Sequence, residues 1–194
     1  MRMHREMTKG KKKMSEHPER IGRHKVYTGA VINVYQDDIQ LPDGRVEKWD
    51  FVEHPMGAAC VVPVTKEGKI VLVRQYRPAL DRYTLELPAG KRDSLTEDTL
   101  VTAQRELSEE TGYTTDNWSK LLALKTTVAF CNEFVDVYLA QDVEKTTGQH
   151  LDPDEAIEIK EYDPDWIKEQ MYAGKIQDGK TVAGVMSYLA KSVQ

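Results

Sequence analysis

Four glutamates in residues 90–113, GKRDSLTEDTLVTAQRELSEETGY, have types and spacings that could support joint chemistry: Glu97, Glu106, Glu109 and Glu110. We expect all four to lie in one helix. The last three stand at positions i, i+3 and i+4, so they share one side of a helix about one turn tall. Like charges at this spacing repel and destabilise an isolated helix. A divalent cation held by oxygen ligands would neutralise them, and the pattern therefore predicts a metal site.

The ends of this helix are marked by local signals. Ser94, with Glu97 three residues later, forms a candidate capping box at the start. Gly112 stands where a C-terminal glycine cap belongs. The apolar residues between them recur at i, i+3 and i+7, which predicts one buried stripe. Its members are Leu100, Ala103 and Leu107.

The helical angles separate the carboxylates from one another. At about 100° per residue, Glu106 and Glu110 fall beside the buried stripe, Glu109 points further out, and Arg105 points away. Solubility alone would place carboxylates opposite the core. Two of them beside the core indicate a partly buried site.

Length and charge narrow the class of protein. The chain has 194 residues and a net charge of −5, which suits one domain with or without a small appendage. Residues 1–25 carry nine Lys/Arg and three Glu, a local charge of +6 that leaves −11 on the remainder. A body this acidic argues against nucleic-acid binding by the folded part. The basic residues 1–20 are predicted to be a solvated, disordered tail.

Compartment and membrane association follow from two further observations. Cys60 and Cys131 are the only cysteines, both lie in apolar runs, and no CxxC pair occurs, so we expect two free thiols in a reducing cytoplasm. No apolar run approaches the ~18 residues that span a membrane, and the N-terminal segment lacks the apolar core of a secretory signal. The sequence predicts a soluble cytoplasmic protein.

Residues 26–53 show the pattern of strands. Pro42-Asp43-Gly44 predicts a turn, because proline presets φ and glycine supplies positive φ. The segment is therefore a hairpin or a small three-stranded antiparallel unit, which we assign to residues 21–54. Such a unit is marginally stable alone, so it must pack on the main domain, residues 55–194, or on a second subunit.

The main domain alternates strands with helices. Asp163 and Pro164 predict the N-cap and first residue of a later helix, and a final amphipathic helix covers residues 182–189. This order predicts an α+β domain. The predicted strands are residues 58–64, 70–76, 84–87, 121–130, 134–140 and 156–161.

The segment 90–113 resembles the Nudix box: Gly, five residues, Glu, seven residues, then Arg-Glu-apolar-x-Glu-Glu-x-Gly-apolar. Residues 105–113, RELSEETGY, follow Glu97 at the required spacing. One departure is that six residues, not five, separate Gly90 from Glu97, and we expect the extra residue to loop out before the helix. The alternative interpretation is an exposed helix covered with charges. The resemblance implies the Nudix fold, a mixed β-sheet sandwiched between helices.

The resemblance also implies hydrolysis of a nucleoside diphosphate linked to another moiety, with Mg²⁺ and, as an alternative ion, Mn²⁺. Residue by residue, Glu106 and Glu110 would bind the metal, with Glu109 as a further catalytic ligand or bridge between ions and the carbonyl of Ala89 as another ligand. Glu97 and Arg105 would brace the helix, although Glu97 reaches a metal in some members. The brace of the box also includes Gly90 and Gly112.

More of the chain resembles the ADP-ribose pyrophosphatase branch, from about residue 26 to the C-terminus. Members are commonly homodimers that exchange N-terminal strands, which implies that residues 21–54 are a dimerisation unit. The matching segments are residues 41–45 (LPDGR), 52–55 (VEHP), 73–79 (VRQYRPA), 86–91 (ELPAGK) and 178–181 (DGKT).

The branch also suggests substrate-binding residues. Arg77, and with less support Arg74, would hold the diphosphate or terminal ribose, where a guanidinium can act bidentately; the alternative is surface arginines on an edge strand. Trp49 is a candidate for stacking on adenine and equally for packing. His54 stands near the position of an arginine in some relatives. Lys91 and Glu133 complete the substrate-binding set.

Two loops bear on the chemistry. Glu155 aligns with the branch's catalytic glutamate, and a mobile loop that delivers a carboxylate suits a general base. The alternative is an ordinary solvated acidic loop. Residues 128–133, VAFCNE, replace the Pro-Gly-Phe of many relatives.

The resulting hypothesis is Mg²⁺-dependent hydrolysis of ADP-ribose to AMP and ribose 5-phosphate. The first alternative is another nucleoside diphosphate sugar, such as GDP-mannose or ADP-glucose. The second is a non-catalytic Nudix-fold regulator that binds such a metabolite, against which the intact Arg-Glu-x-x-Glu-Glu run argues.

Overall fold

The computed structural model describes residues 15–151, 153 and 156–192. The chain divides into two compact units, Met1–Glu53 and His54–Gln194. Residues 1–14 of the predicted tail lie outside the described residues, as does Glu155.

The N-terminal unit is a three-stranded antiparallel sheet, as predicted. Its strands are β1 (Glu19–Thr28), β2 (Asn33–Gln40) and β3 (Val46–Glu53), in the order β1-β2-β3. Glu19 and Arg20, which the sequence assigned to the tail, are the first residues of β1, because backbone pairing with β2 extends beyond the apolar pattern.

This unit has little core of its own. Among its described residues, Ile39 is the only buried apolar side chain. Arg23 donates two hydrogen bonds of 2.6 Å to buried Asp37, and these bonds lower the pKa of that carboxyl. The exposed apolar side chains are Ile21, Val26, Tyr27, Val31, Val46 and Trp49.

The second unit is built on one mixed sheet of eight strands. The strands are β4 (Ala58–Thr65), β5 (Ile70–Arg77), β6 (Arg82–Glu86), β7 (Ala89–Lys91), β8 (Tyr113–Thr114), β9 (Asn117–Lys125), β10 (Phe134–Lys145) and β11 (Glu158–Tyr162). The helices are α1 (Thr99–Thr111), α2 (Pro164–Tyr172) and α3 (Gly179–Ser192), with a 3₁₀ turn at Pro78–Leu80. The strand order is β11-β5-β4-β10-β8, with β6 on β5, β7 on β4 and β9 on β10. Strands β4 and β10 are parallel, and the other pairs are antiparallel.

Helices cover both faces of this sheet. Along β4, Ala59 and Val61 join a cluster with Ala103 and Leu107 of α1. Cys60 and Val62 point the other way and join a cluster that includes residues of α2 and α3. A strand buried on both faces reads as a continuous apolar run, which is the pattern of residues 58–64. The predicted α+β class and mixed sheet between helices are confirmed.

The start of α1 corrects one prediction. Asp98, not Ser94, is the N-cap, and its side chain accepts a hydrogen bond of 2.8 Å from the Leu100 amide. Glu97 therefore precedes the helix instead of lying within it. A capping motif is local and short, so two nearby candidates, Ser94 and Asp98, compete, and the packing of the preceding loop selects between them.

The other helix signals agree with the structure. Gly112 ends α1 in the left-handed conformation, with φ of 73°. Asp163 caps α2, and Pro164 is its first residue. Among the described residues, none of the helices has the length and apolar character that a membrane-spanning helix needs. Cys60 is buried, Cys131 is partly buried, and both are free thiols.

Candidate active site

Strand β7 holds the backbone of Ala89 and Gly90 against the carboxylates of α1. β7 pairs with β4, and the Ala89 amide donates a hydrogen bond of 3.2 Å to Glu110 Oε2. A Cβ added to Gly90 would lie 1.9 Å from Glu106 Oε1, so only glycine leaves space for that carboxylate. Glu106 is 9% exposed and Glu110 is 3% exposed. The predicted orientation of these two carboxylates beside the buried stripe is confirmed.

Arg105 ties the carboxylates to the strand. Its Nη1 donates to Glu106 Oε1 at 2.8 Å and to Glu109 Oε2 at 3.0 Å, while Nη2 donates to the Lys91 carbonyl at 3.0 Å. Burial opposes its charge, but the neighbouring carboxylates, Glu106 first, outweigh burial and raise the pKa of Arg105. The helical angles predict that Arg105 points away from the stripe, but its long side chain reaches Glu106 and the Lys91 carbonyl.

The loop between β7 and α1 accommodates the extra residue of the box. Arg92 organises it, donating to the carbonyls of Met56 at 2.5 Å, Leu95 at 3.0 Å and Glu97 at 3.2 Å. The Glu97 carboxylate accepts from the Asp93 amide at 2.7 Å and lies 4.0 Å from Arg105 Nε. The hydrogen bond from Asp93 is the largest cause that lowers the pKa of Glu97.

A cleft of about 500 Å³ opens on the side of Ala89 and Gly90. Its ionisable lining combines three lysines with two carboxylates and one histidine: Lys91, Lys125, Lys180, Glu133, Asp178 and His54. A net positive wall beside buried carboxylates suits a substrate with several anionic oxygens. Lys91 and Glu133, both predicted from sequence to bind substrate, line this cleft.

A second cleft of about 430 Å³ contains Arg77 and buried Glu86. Arg77 donates from Nε and Nη2 to the two oxygens of Glu86, each at 2.7 Å. Thr84 Oγ1 donates to the same carboxylate at 2.6 Å, and Lys180 Nζ contacts it from α3. Glu86 and Lys180 were not predicted from the sequence as site residues. Both lie in segments that resemble the ADP-ribose pyrophosphatase branch, residues 86–91 and 178–181, and this resemblance could have identified them.

Ionisation of Glu86 depends on these partners. Burial opposes its charge, but the bond from Arg77 and the charge of Lys180 outweigh burial and lower the pKa of Glu86 from 4.5 to about 2. Because the folded-state pKa is lowered, this group contributes stability that is fully present above its unfolded pKa of about 4.5 and is lost as the pH falls through about 2.

This linkage gives a first prediction. Glu86→Gln cannot titrate, so the difference in free energy of unfolding between wild type and variant should be constant above about pH 5 and shrink as the pH falls toward 2. Urea denaturation at a series of pH values measures it. A difference that stays unchanged over this range would contradict the assignment.

Two other predicted substrate residues have different surroundings. Arg74 pairs with Glu158 at 3.1 Å, stacks 3.7 Å from the ring centre of Tyr83, and lines neither cleft. Trp49 lies in β3 of the N-terminal unit and is 47% exposed.

The described residues that flank Glu155 in sequence are bonded to the end of α1. The His150 amide donates to the Glu109 carbonyl at 2.8 Å. Gln149 Nε2 donates to the carbonyls of Glu110 at 2.7 Å and Ile157 at 3.1 Å. These bonds fasten both flanks of residues 150–157 close to the carboxylate helix. Gln149 gave no sequence signal, because a glutamine in a polar loop is unremarkable.

Comparison with known proteins agrees with this geometry. The chain matches the family model described as the NUDIX domain over residues 53–184. It is 37% identical over 166 residues to the ADP-ribose pyrophosphatase of Bacillus subtilis (strain 168), covering 85% of this chain and 89% of that protein. It is also 37% identical over 166 residues to the methanol dehydrogenase activator of Bacillus methanolicus, and this alignment covers 85% of this chain and 89% of that protein.

The fold has a solved counterpart. A crystal structure described as an ADP compounds hydrolase aligns with a TM-score of 0.80 over 90% of this chain and 94% of that chain. Its sequence identity of 18% supports the fold alone. The family match over residues 53–184, more than half of the chain, establishes that the chain belongs to the Nudix family.

Proposed function

We propose that this protein hydrolyses the diphosphate bond of ADP-ribose, releasing AMP and ribose 5-phosphate. The observation that carries the proposal is the pair of buried carboxylates, Glu106 and Glu110, held against the backbone of Ala89 and Gly90 at the edge of a basic cleft. The relationship to the Bacillus subtilis ADP-ribose pyrophosphatase at 37% identity supports this substrate.

The donor set fits Mg²⁺ or Mn²⁺. All the proposed ligands are oxygens: the carboxylates of Glu106 and Glu110, the Ala89 carbonyl, and Glu109 as a further ligand. Among the described residues, no three His, Cys, Asp or Glu side chains form a metal cluster. Mg²⁺ commonly keeps several waters and takes only one or two carboxylates, so a complete side-chain cage is not needed. When bound, the metal would neutralise phosphoryl oxygens and acidify a water.

Glu155 is the proposed general base. The supporting observation is that the bonds of Gln149 and His150 hold the flanks of its loop next to Glu109 and Glu110. A carboxylate brought there could accept a proton from the attacking water.

Replacing this base gives a second prediction. Glu155→Gln should lower kcat by ~10²-fold or more, while metal affinity, followed by titration calorimetry with Mn²⁺, stays within a few-fold of wild type. A near-normal kcat would show that residues 150–157 are an ordinary solvated loop.

The remaining proposed roles belong to substrate binding. Arg77, Lys91 and Glu133 would contact the diphosphate and ribose from the cleft walls, and Arg74 would do so only by leaving Glu158. Trp49 would stack on the adenine. We propose that it does so from the N-terminal unit of a second subunit.

A homodimer is the proposed assembly. Its support is the N-terminal unit, residues 21–54, whose described part buries one apolar side chain and exposes Trp49 and its neighbours. Light scattering after size-exclusion chromatography should give twice the 22.2 kDa mass of one chain. A monomer would refute the assembly.

Free thiols at Cys60 and Cys131 support the cytoplasm as the proposed compartment.

One assay tests the substrate. Purified protein with Mg²⁺ is given ADP-ribose, ADP-glucose, GDP-mannose, NADH and FAD, and AMP or GMP release is measured. We expect ADP-ribose to have the highest kcat/KM. GDP-mannose well ahead would assign the protein to that sugar nucleotide, and no turnover of any compound would favour a non-catalytic regulator.

A further inference from the structure

We propose that Glu86 is a positioning residue that holds Arg77 and Lys180 side by side, so that both cations donate hydrogen bonds to the phosphate oxygens of the substrate. The proposal rests on the proposed function, because it takes a nucleoside diphosphate sugar as the ligand. Glu86 acts through the two cations and touches no reacting atom.

The hydrogen bonds of Glu86 support a positioning role. Its Oε1 accepts from Arg77 Nε and Thr84 Oγ1, and its Oε2 accepts from Arg77 Nη2 and Lys180 Nζ. A carboxylate has about four acceptor sites, and these four donors occupy them. Glu86 therefore has no capacity left for a metal or a water, and its function must pass through the groups that it holds.

Arg77 and Lys180 are neighbours across one oxygen, Glu86 Oε2. Two cations this close repel each other unless an anion lies between them. The bonds to Glu86 use Nε and Nη2 of Arg77, which leaves Nη1 for another acceptor. The Arg77 side chain is 40% exposed and that of Lys180 is 18% exposed, so both can be reached from solvent.

The position of this trio links the two clefts. Arg77 and Glu86 line the second cleft, and Lys180 lines both. Asp178, which also lines both, accepts from Lys180 at 3.0 Å and so holds this lysine from the residue just before α3. The second cleft carries four cations against Glu86 and Asp178, which favours an anionic ligand; they are Arg77, Arg82, Lys175 and Lys180.

A carboxylate that only neutralised the cations would have the opposite effect on binding. Removing its charge would then make the clefts more positive and strengthen phosphate binding. A carboxylate that positions the cations must weaken binding when it is replaced. A glutamine at 86 keeps one acceptor oxygen and turns an NH₂ group toward donors, so it cannot hold both cations.

The test measures binding of ADP-ribose by calorimetry in EDTA, where no turnover occurs. We expect Glu86→Gln to raise the Kd for ADP-ribose at least ~10-fold, which corresponds to the loss of about one charge-assisted hydrogen bond. The Kd of Glu86→Asp should lie between the values of wild type and Glu86→Gln. With Mg²⁺, KM should rise more than kcat falls. In an Arg77→Gln background, Glu86→Gln should raise Kd by a smaller factor than in wild type, because only the contact with Lys180 is then left to lose.

Controls separate the outcomes. Glu144→Gln breaks an exposed pair with Lys66 and should change neither Kd nor KM. If Glu86→Gln does not fold, Thr84→Val removes one donor but no charge and should raise Kd roughly 3-fold. An unchanged or lower Kd in the folded variants, or no binding by wild type, would overturn the inference. Binding without turnover in wild type would refute the hydrolase and leave the positioning role standing.

Discussion

Glu110→Gln should lower kcat for ADP-ribose hydrolysis with Mg²⁺ by ~10²-fold or more, without unfolding the protein. Glu110 is 3% exposed, and its Oε2 accepts a hydrogen bond of 3.2 Å from Ala89, so it lies at the centre of the proposed metal site. Glutamine has the same shape and keeps an oxygen for the Ala89 amide. What it removes is the negative charge that the metal would need.

The measurement combines steady-state kinetics with circular dichroism and thermal unfolding. Glu169→Gln is a matched control, since Glu169 is an exposed glutamate in helix α2. Its activity should equal that of wild type. If Glu110→Gln keeps activity within about threefold of wild type, the role assigned to Glu110 is wrong.

Gly90→Ala should have the second large effect. The new Cβ would lie 1.9 Å from Glu106 Oε1 and 2.1 Å from its Cδ, far inside van der Waals contact. Either the carboxylate leaves its position beneath β7 or the strand moves away from β4. We expect kcat/KM to fall at least ~10²-fold and the free energy of unfolding to fall by about 1–3 kcal/mol.

A compensating variant makes this prediction specific. Glu106→Asp shortens the side chain that meets the new Cβ, so Gly90→Ala/Glu106→Asp should recover most of the lost stability but not the activity. Gly148→Ala is the control glycine, because a Cβ there meets nothing within 4 Å. Wild-type activity and stability in Gly90→Ala would show that β7 can shift freely and that its contact with Glu106 is unimportant.

The carboxylate helix was predictable because its information is local. The spacing of Glu106, Glu109 and Glu110 follows from 3.6 residues per turn, and the stripe of Leu100, Ala103 and Leu107 sets which face is buried. The continuous apolar run of β4 and the cap at Gly112 are equally local. These features depend on neighbours within about one or two helical turns.

The exact start of the helix was less predictable. Ser94 and Asp98 are both good N-cap residues, and the choice depends on the hydrogen bonds of Arg92 and Glu97 in the preceding loop. Those bonds reach Met56, at the start of the main domain. A capping motif alone does not contain that information.

Sequence alone determined that this protein carries a helix with three carboxylates at i, i+3 and i+4, in an α+β domain with a small β-unit before it. Tertiary structure decided that β7 lies over Glu106, and that Glu86 joins Arg77 of β5 to Lys180 of α3, 94 residues from Glu86. The physical reason for this difference is that the direction of successive side chains along a helix or strand is set by the local backbone geometry. Contacts between distant strands and helices depend on strand register and on which faces pack, and these emerge only when the whole sheet forms.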